Sequence, residues 1–178
     1  IMIQTEREGR GAWTPLEDRR LYDLIAALED RTEHLSRIHA VEALGSASDP
    51  RAVAALVAAL RDEHPDIRRL SARALREIGS IRSVGPLIEC LGDPKEKWKT
   101  RICAAEALGR IGTTSAVEGL VARLMDPSED VEARIAFATI LGSARSPAAG
   151  MALRECLQDQ DPRLRKAAEK VLGKTGRE

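Results

Sequence analysis

Apolar residues along this 178-residue chain recur at helical spacing, and the helical pattern is itself repeated. Leu21, Leu24, Ile25 and Leu28 stand at i, i+3, i+4 and i+7, the stripe of an amphipathic helix. Further on, Asp66 to Asp93 reads DIRRLSARALREIGSIRSVGPLIECLGD: a striped helix, a glycine stop, then a second and more apolar helix. This unit returns along the chain. Arg37, Arg68, Arg101, Arg134 and Arg165 are spaced by 31, 33, 33 and 31 residues, and Leu44, Leu75, Leu108, Leu141 and Leu172 follow each by seven. A second motif keeps step at Leu56/Leu60, Leu87/Leu91, Leu120/Leu124 and Leu153/Leu157. A fixed period of this length marks stacked helix pairs, because one pair alone cannot bury its apolar faces.

The pattern predicts a first helix from Thr14-Pro15 to Leu28-Glu29-Asp30, half a repeat acting as a cap. Pairs follow near 33–45 and 50–61, 65–79 and 82–91, 97–111 and 114–125, 129–142 and 147–157, with a last helix near 161–174. Pro15, Pro50, Pro65, Pro94, Pro127, Pro147 and Pro162 precede or open a helix, where a missing N–H costs little, and Pro86 falls in a first turn. Gly79, Gly112 and Gly176 share one column and Gly109, Gly142 and Gly173 another, both expected to be left-handed helix stops. The expected architecture is all-α: an α/α superhelix of about four to five pairs over residues 16–178, preceded by an irregular arm over 1–15 that Trp13 could anchor.

Composition narrows this further. Aromatics are only 2%, so the core must be built from Ala, Leu, Ile and Val, which suits closely packed helices. Lys+Arg and Asp+Glu balance at 28 each, and no whole-protein field favours nucleic acid or an anionic membrane. Cys90, Cys103 and Cys156 lack metal-ligand spacing and read as semi-buried thiols of a reducing compartment. No apolar run is long enough to span a bilayer. No secretory signal precedes the repeats, so the expected location is cytoplasmic.

The columns carry a signature, D-x-x-I/V-R-x-x-A-x-x-A-L-x-x-I-G followed by A-V-x-x-L-x-x-x-L-x-D. It stands in Asp66-Ile67-Arg68, Ala72, Ala74-Leu75 and Ile78-Gly79, then in Arg101, Ala105, Ala107-Leu108 and Ile111-Gly112, then in Ala116-Val117, Leu120, Leu124 and Asp126. It resembles HEAT repeats, and more closely the HEAT-like repeats of phycobilisome bilin lyases. The resemblance implies antiparallel pairs wound into a right-handed superhelix that offers a groove to a partner. Residues 130–145 depart from it: Phe137 and Thr139-Ile140 interrupt the Ala-rich run and Arg145 replaces the Gly, so this repeat is expected to pack less regularly.

Several constellations could carry function. Asp30/Arg37, Asp62/Arg68, Asp93/Arg101, Asp126/Arg134 and Asp159/Arg165 stand six to eight residues apart, and the resemblance implies a structural ladder tying neighbouring repeats. Arg69, Arg73 and Arg76 share one helix face, either neutralised by Glu42 and Glu106 of flanking helices or awaiting an anionic partner. Trp98 sits among lysines in a connection two residues longer than its counterpart, a possible contact point or a ridge cover. The A-V-x-x-L helices leave open a row of small residues with Glu89, Glu118, Arg123 and Arg154 interspersed, suited to a helix or extended peptide. Arg163, Arg165, Lys166, Lys170, Lys174 and Arg177 give the last helix a polar, capping character.

No phosphate loop, nucleophile elbow or Cys/His cluster appears, and His34, His39 and His64 are followed by Leu, Ala and Pro rather than the Glu of di-iron helical repeats. The expectation is a non-enzymatic scaffold without cofactor that presents a helical groove to a protein or peptide. The alternatives are a bilin lyase-like or cofactor-handling subunit, and nucleic-acid binding through the basic helix face.

Overall fold

In the computed structural model, residues 15–144 and 146–175 are described; Trp13, Thr14, Arg145, Gly176 and Arg177 and most of the expected arm lie outside them. The described residues form ten α-helices and no strand: α1 Pro15–Glu29, α2 His34–Ala47, α3 Val53–Ala59, α4 Pro65–Ile78, α5 Val84–Gly92, α6 Trp98–Ile111, α7 Thr114–Leu124, α8 Val131–Leu141, α9 Pro147–Cys156 and α10 Pro162–Thr175. Single 3₁₀ turns, Pro50–Ala52 and Ile81–Ser83, lead into α3 and α5. The helices stack as antiparallel neighbours in two rows. The even row, α2 to α10, has a near-continuous seam; in the odd row α3 and α5 barely touch. Over α2, α4 and α6 the even row is thus the more closely packed of the two.

One continuous apolar core runs between the rows, with the periodic leucines at its centre: Leu44, Leu75, Leu108 and Leu141 from the even helices face Leu56, Leu87, Leu91, Leu120 and Leu124 from the odd ones. Burying a leucine side chain is worth about 1.5–3 kcal/mol, so the repeated column supplies much of the stacking energy. Phe137 is fully buried in α8. That helix is three residues shorter than α4 and α6, and it contacts α6 less extensively than α6 contacts α4.

The two glycine columns do different work. Gly79 and Gly112 adopt φ of 66° and 64° and stop α4 and α6 in the left-handed conformation. Ser48 holds the same column after α2 with φ 51°, strained for a residue with a Cβ. Gly109 and Gly142, expected as stops, are instead sites of close helix approach. A Cβ on Gly109 would lie 2.4 Å from Ile140 Cγ2, and one on Gly142 2.3 Å from Val171 Cγ1. Gly45, in the same column, faces Ala74. The sequence signal was ambiguous because both needs, a missing Cβ and a free φ, select glycine.

Candidate functional site

Each ladder aspartate first builds its own turn. Oδ1 of Asp30, Asp62, Asp93, Asp126 and Asp159 accepts the backbone N–H two residues on, at 2.8–2.9 Å. The arginine that follows lies near the same turn, but its carboxylate partner comes from the next repeat. Arg37 is 2% exposed and donates from Nη1 to Asp62 Oδ2 at 2.6 Å. Arg68 binds Glu96 twice, Nε to Oε2 at 2.5 Å and Nη2 to Oε1 at 3.2 Å. Arg101 pairs with Glu129, and Arg134 Nη2 donates to Asp159 Oδ2 at 2.7 Å.

The guanidinium groups of Arg68, Arg101, Arg134 and Arg165 also grip backbone, whereas Nε of buried Arg37 has no hydrogen-bond partner among the described residues. Arg68 Nη1 donates to the carbonyls of Asp62 and Glu63 at 2.8 and 3.0 Å, and Arg165 Nη1 to those of Asp159 and Gln160 at 2.7 and 3.0 Å. Arg101 Nε and Arg134 Nε each reach a carbonyl at 2.7 Å, that of Leu91 and that of Leu124. The turns fall into two classes. Where Asp and Arg are six residues apart, the Asp itself takes the preceding arginine; where they are eight apart, the two extra residues carry Asp93 and Asp126 off the seam and the Glu of D-P-x-E replaces them. Asp93 therefore makes no ion pair among the described residues, and Asp126 pairs with Arg123 at 2.7 Å. Glu96 and Glu129 are the ladder members the sequence reading missed; the shared D-P-x-E of the two longer turns was their signal.

On the even row the basic stripe lies in a network. Arg73 reaches Glu42 of α2 at 3.5 Å, and Arg76 binds Glu106 of α6 at 2.5 Å and its neighbour Glu77 at 2.8 Å. Glu77 also receives Arg110 at 3.2 Å, and Arg69 leans on Asp66 at 3.3 Å. The Arg76 guanidinium, assisted by Arg110, holds the Glu77 carboxyl below the usual range. Most of these groups are a third to a half exposed, so the face is one of paired, accessible charges spread over three helices.

Trp98, the first residue of α6, is 45% exposed and with Glu96, Arg101, Asp130, Glu132 and Ala133 lines an open cleft of about 380 Å³ at the turn end of the stack. Glu89, Glu118, Arg123 and Arg154 stand on the odd row. Glu89 pairs with Arg61 at 2.5 Å, Arg123 with Asp126 and with Glu129 at 3.2 Å, while Glu118 and Arg154 are exposed and make no ion pair among the described residues. The structure thus brings Arg69, Arg73 and Arg76 together and separates them from Trp98 and from the odd-row residues.

Burial raises the Cys90 thiol to about 12, and it lifts Cys103 and Cys156 as well, so none is a ready thiolate near neutrality. Among the described residues no cluster of three His, Cys, Asp or Glu could hold a metal ion, and no helix is long and apolar enough to cross a membrane.

The chain is 37% identical over 91 residues to phycocyanobilin lyase subunit alpha of Picosynechococcus sp. (strain ATCC 27264 / PCC 7002 / PR-6), a match covering 46% of this chain and 34% of that relative. The chain thus aligns with about a third of the length of that curated relative. A chain in the complex of CpcE and CpcF of phycocyanin lyase from Nostoc sp. PCC7120 superposes with a TM-score of 0.65 at 25% identity, covering all of this chain and 71% of the other. A computationally designed armadillo repeat protein for modular peptide recognition shares the fold at a TM-score of 0.55 and 18% identity, over 89% of this chain and 83% of its own. The PBS lyase HEAT-like repeat pattern matches residues 101–124. With HEAT repeats matched over residues 21–98 and 117–178, the chain belongs to the HEAT-repeat family.

Proposed function

We propose that this chain acts as a non-catalytic binding subunit whose even-row face, formed by α2, α4 and α6, receives a partner protein. The observation that carries the reading is the network of Glu42, Arg73, Arg76, Glu77, Glu106 and Arg110: preformed, half-exposed and of alternating sign. Such a face costs little to order on binding and selects a partner by charge complementarity more than by apolar area. It also argues against nucleic acid, since Arg69, Arg73 and Arg76 each have a carboxylate within 3.5 Å. Trp98, apart from this network at the start of α6, is the candidate aromatic anchor.

The test is quantitative capture from lysate by the wild-type chain, an Arg73→Glu/Arg110→Glu variant and Trp98→Ala. A discrete protein retained by wild type and lost with the charge reversal, both chains melting alike, supports the reading. Equal capture by all three contradicts it.

A second reading rests on the likeness to phycocyanobilin lyase subunit alpha and to the phycocyanin lyase complex: a lyase-like subunit that handles a bilin together with a partner. The raised thiols speak against covalent capture by this chain's own cysteines at neutral pH, so its part would be non-covalent holding. Titration of phycocyanobilin into the purified chain separates the two. A saturable shift of the bilin absorption band supports the second reading, and an unchanged spectrum removes it.

A further inference from the structure

We propose that the cleft between Trp98 and Asp130 receives an arginine side chain of the partner protein, its guanidinium stacked on the indole and bonded to the Asp130 carboxylate. The inference rests on the reading of the chain as a binding subunit and names the chemistry that its aromatic anchor recognises.

The molecule contains a filled version of this cleft. His34 opens α2 three residues before Arg37, as Trp98 opens α6 three residues before Arg101. His64 stands four residues before Arg68, as Asp130 stands four before Arg134. The first pair is closed: the rings of His34 and His64 stack with centroids 5.1 Å apart and planes 18° from parallel. At the second pair an aromatic ring again opens the helix, but the following turn supplies a carboxylate instead of a plane. What remains is the open cleft of about 380 Å³, with Trp98 45% exposed. The group that fits takes the place of the His64 ring and carries donors for a carboxylate. A guanidinium is planar, stacks on indole and supplies those donors.

The charges of the lining agree. Asp130 caps α8, its Oδ1 accepting the Glu132 N–H at 2.8 Å, and its carboxylate makes no ion pair among the described residues. Glu132 pairs with exposed Arg163 at 2.7 Å, a surface contact that an incoming cation displaces at little cost. The other charges are committed: Glu96 to Arg68, and Arg101 to Glu129 and the Leu91 carbonyl. With Arg101 spent, the described lining holds no cation for the α-carboxylate of a free amino acid, so the arginine belongs to a polypeptide.

The probe is N-acetyl-arginine amide, titrated into the full chain and followed by NMR. Saturable shifts of the Trp98 indole N–H and of the amides of residues 130–133, with a Kd on the order of 1–10 mM, are the expected result. N-acetyl-citrulline amide, of the same shape without the charge, should leave them in place. Asp130→Asn, which keeps the helix cap, should weaken binding about tenfold. Asp130→His, which copies the His34–His64 pair, should close the cleft and abolish binding. Shifts that do not saturate, that citrulline reproduces, or that neither variant alters overturn the proposal. Tighter binding of free L-arginine than of the blocked probe would make the cleft an amino-acid site and overturn it as well. Arg73→Glu/Arg110→Glu should leave this titration unchanged. A failed titration beside intact capture of a partner from lysate therefore sinks this inference and not the binding-subunit reading.

Discussion

Arg68 and Glu96, 28 residues apart in sequence, meet through two parallel hydrogen bonds of 2.5 and 3.2 Å, with the carboxylate side chain 6% exposed. The Asp93 side chain, nearer to the ladder position expected for an acid, bonds only the Lys95 N–H among the described residues. The energetic consequence is asymmetric. Glu96→Ala leaves a largely buried guanidinium half-satisfied and should cost about 2–3 kcal/mol. Asp93→Ala removes a turn bond and should cost about 1 kcal/mol. Chemical denaturation of both variants checks the order; equal losses would count against it.

Asp62 combines the two tasks, Oδ1 on the His64 N–H and Oδ2 on buried Arg37. Asp62→Ala should therefore be the costliest substitution in the ladder, about 3–4 kcal/mol, with Asp62→Asn recovering the turn but not the charge. Thermal melts of the two variants against wild type give the comparison.

Both glycine columns disfavour a Cβ, one for lack of space and the other for its backbone conformation. Gly109→Ala forces a methyl against the stiff Ile140 and should destabilise by about 1–3 kcal/mol, recovered in part in a double variant with Ile140→Ala. Ser48→Gly, at φ 51°, should stabilise by up to about 1 kcal/mol by relieving the left-handed strain. Urea titrations decide both, and a destabilised Ser48→Gly would show that the Ser48 hydroxyl bond to the Gly45 carbonyl outweighs the strain.

The pH dependence follows from the turn aspartates. Asp126 is held below its usual 3.8 by the Ser128 hydroxyl and amide; for Asp159, burial pulls upward but is outweighed by the Asp161 amide and Arg134. A carboxyl lowered by folding stabilises above its unfolded value, and that stability is lost as pH falls through the folded value. Stability should thus show no contribution from these groups to its slope between about pH 5 and 7 and should drop below about pH 4. Asp159→Asn should flatten that drop, and an unchanged acid limb would contradict the assignment.

The repeat period, the ten helices of the described residues and the paired charges of the even-row face were legible in the sequence, because each rests on local periodicity or on columns one repeat apart. Arg73 with Glu42 and Arg76 with Glu106 were readable for that reason. The ladder's true partners were harder to read. Which acid reaches the preceding arginine depends on how two extra residues redirect a turn, a tertiary property that brings Glu96 and Glu129 forward and leaves Asp93 behind. The glycines at 109 and 142 were misread on the same grounds: their reason is a neighbour 29 to 31 residues away, not their own backbone.

The central claim, that each repeat is tied to the next by an arginine reaching forward to the following turn's acid, is tested most directly by double-mutant cycles of Arg68 with Glu96 and with Asp93. The account predicts a coupling of about 1.5 kcal/mol or more for Arg68–Glu96 and nearly none for Arg68–Asp93. Coupling concentrated in Arg68–Asp93, or absent from both, would contradict it.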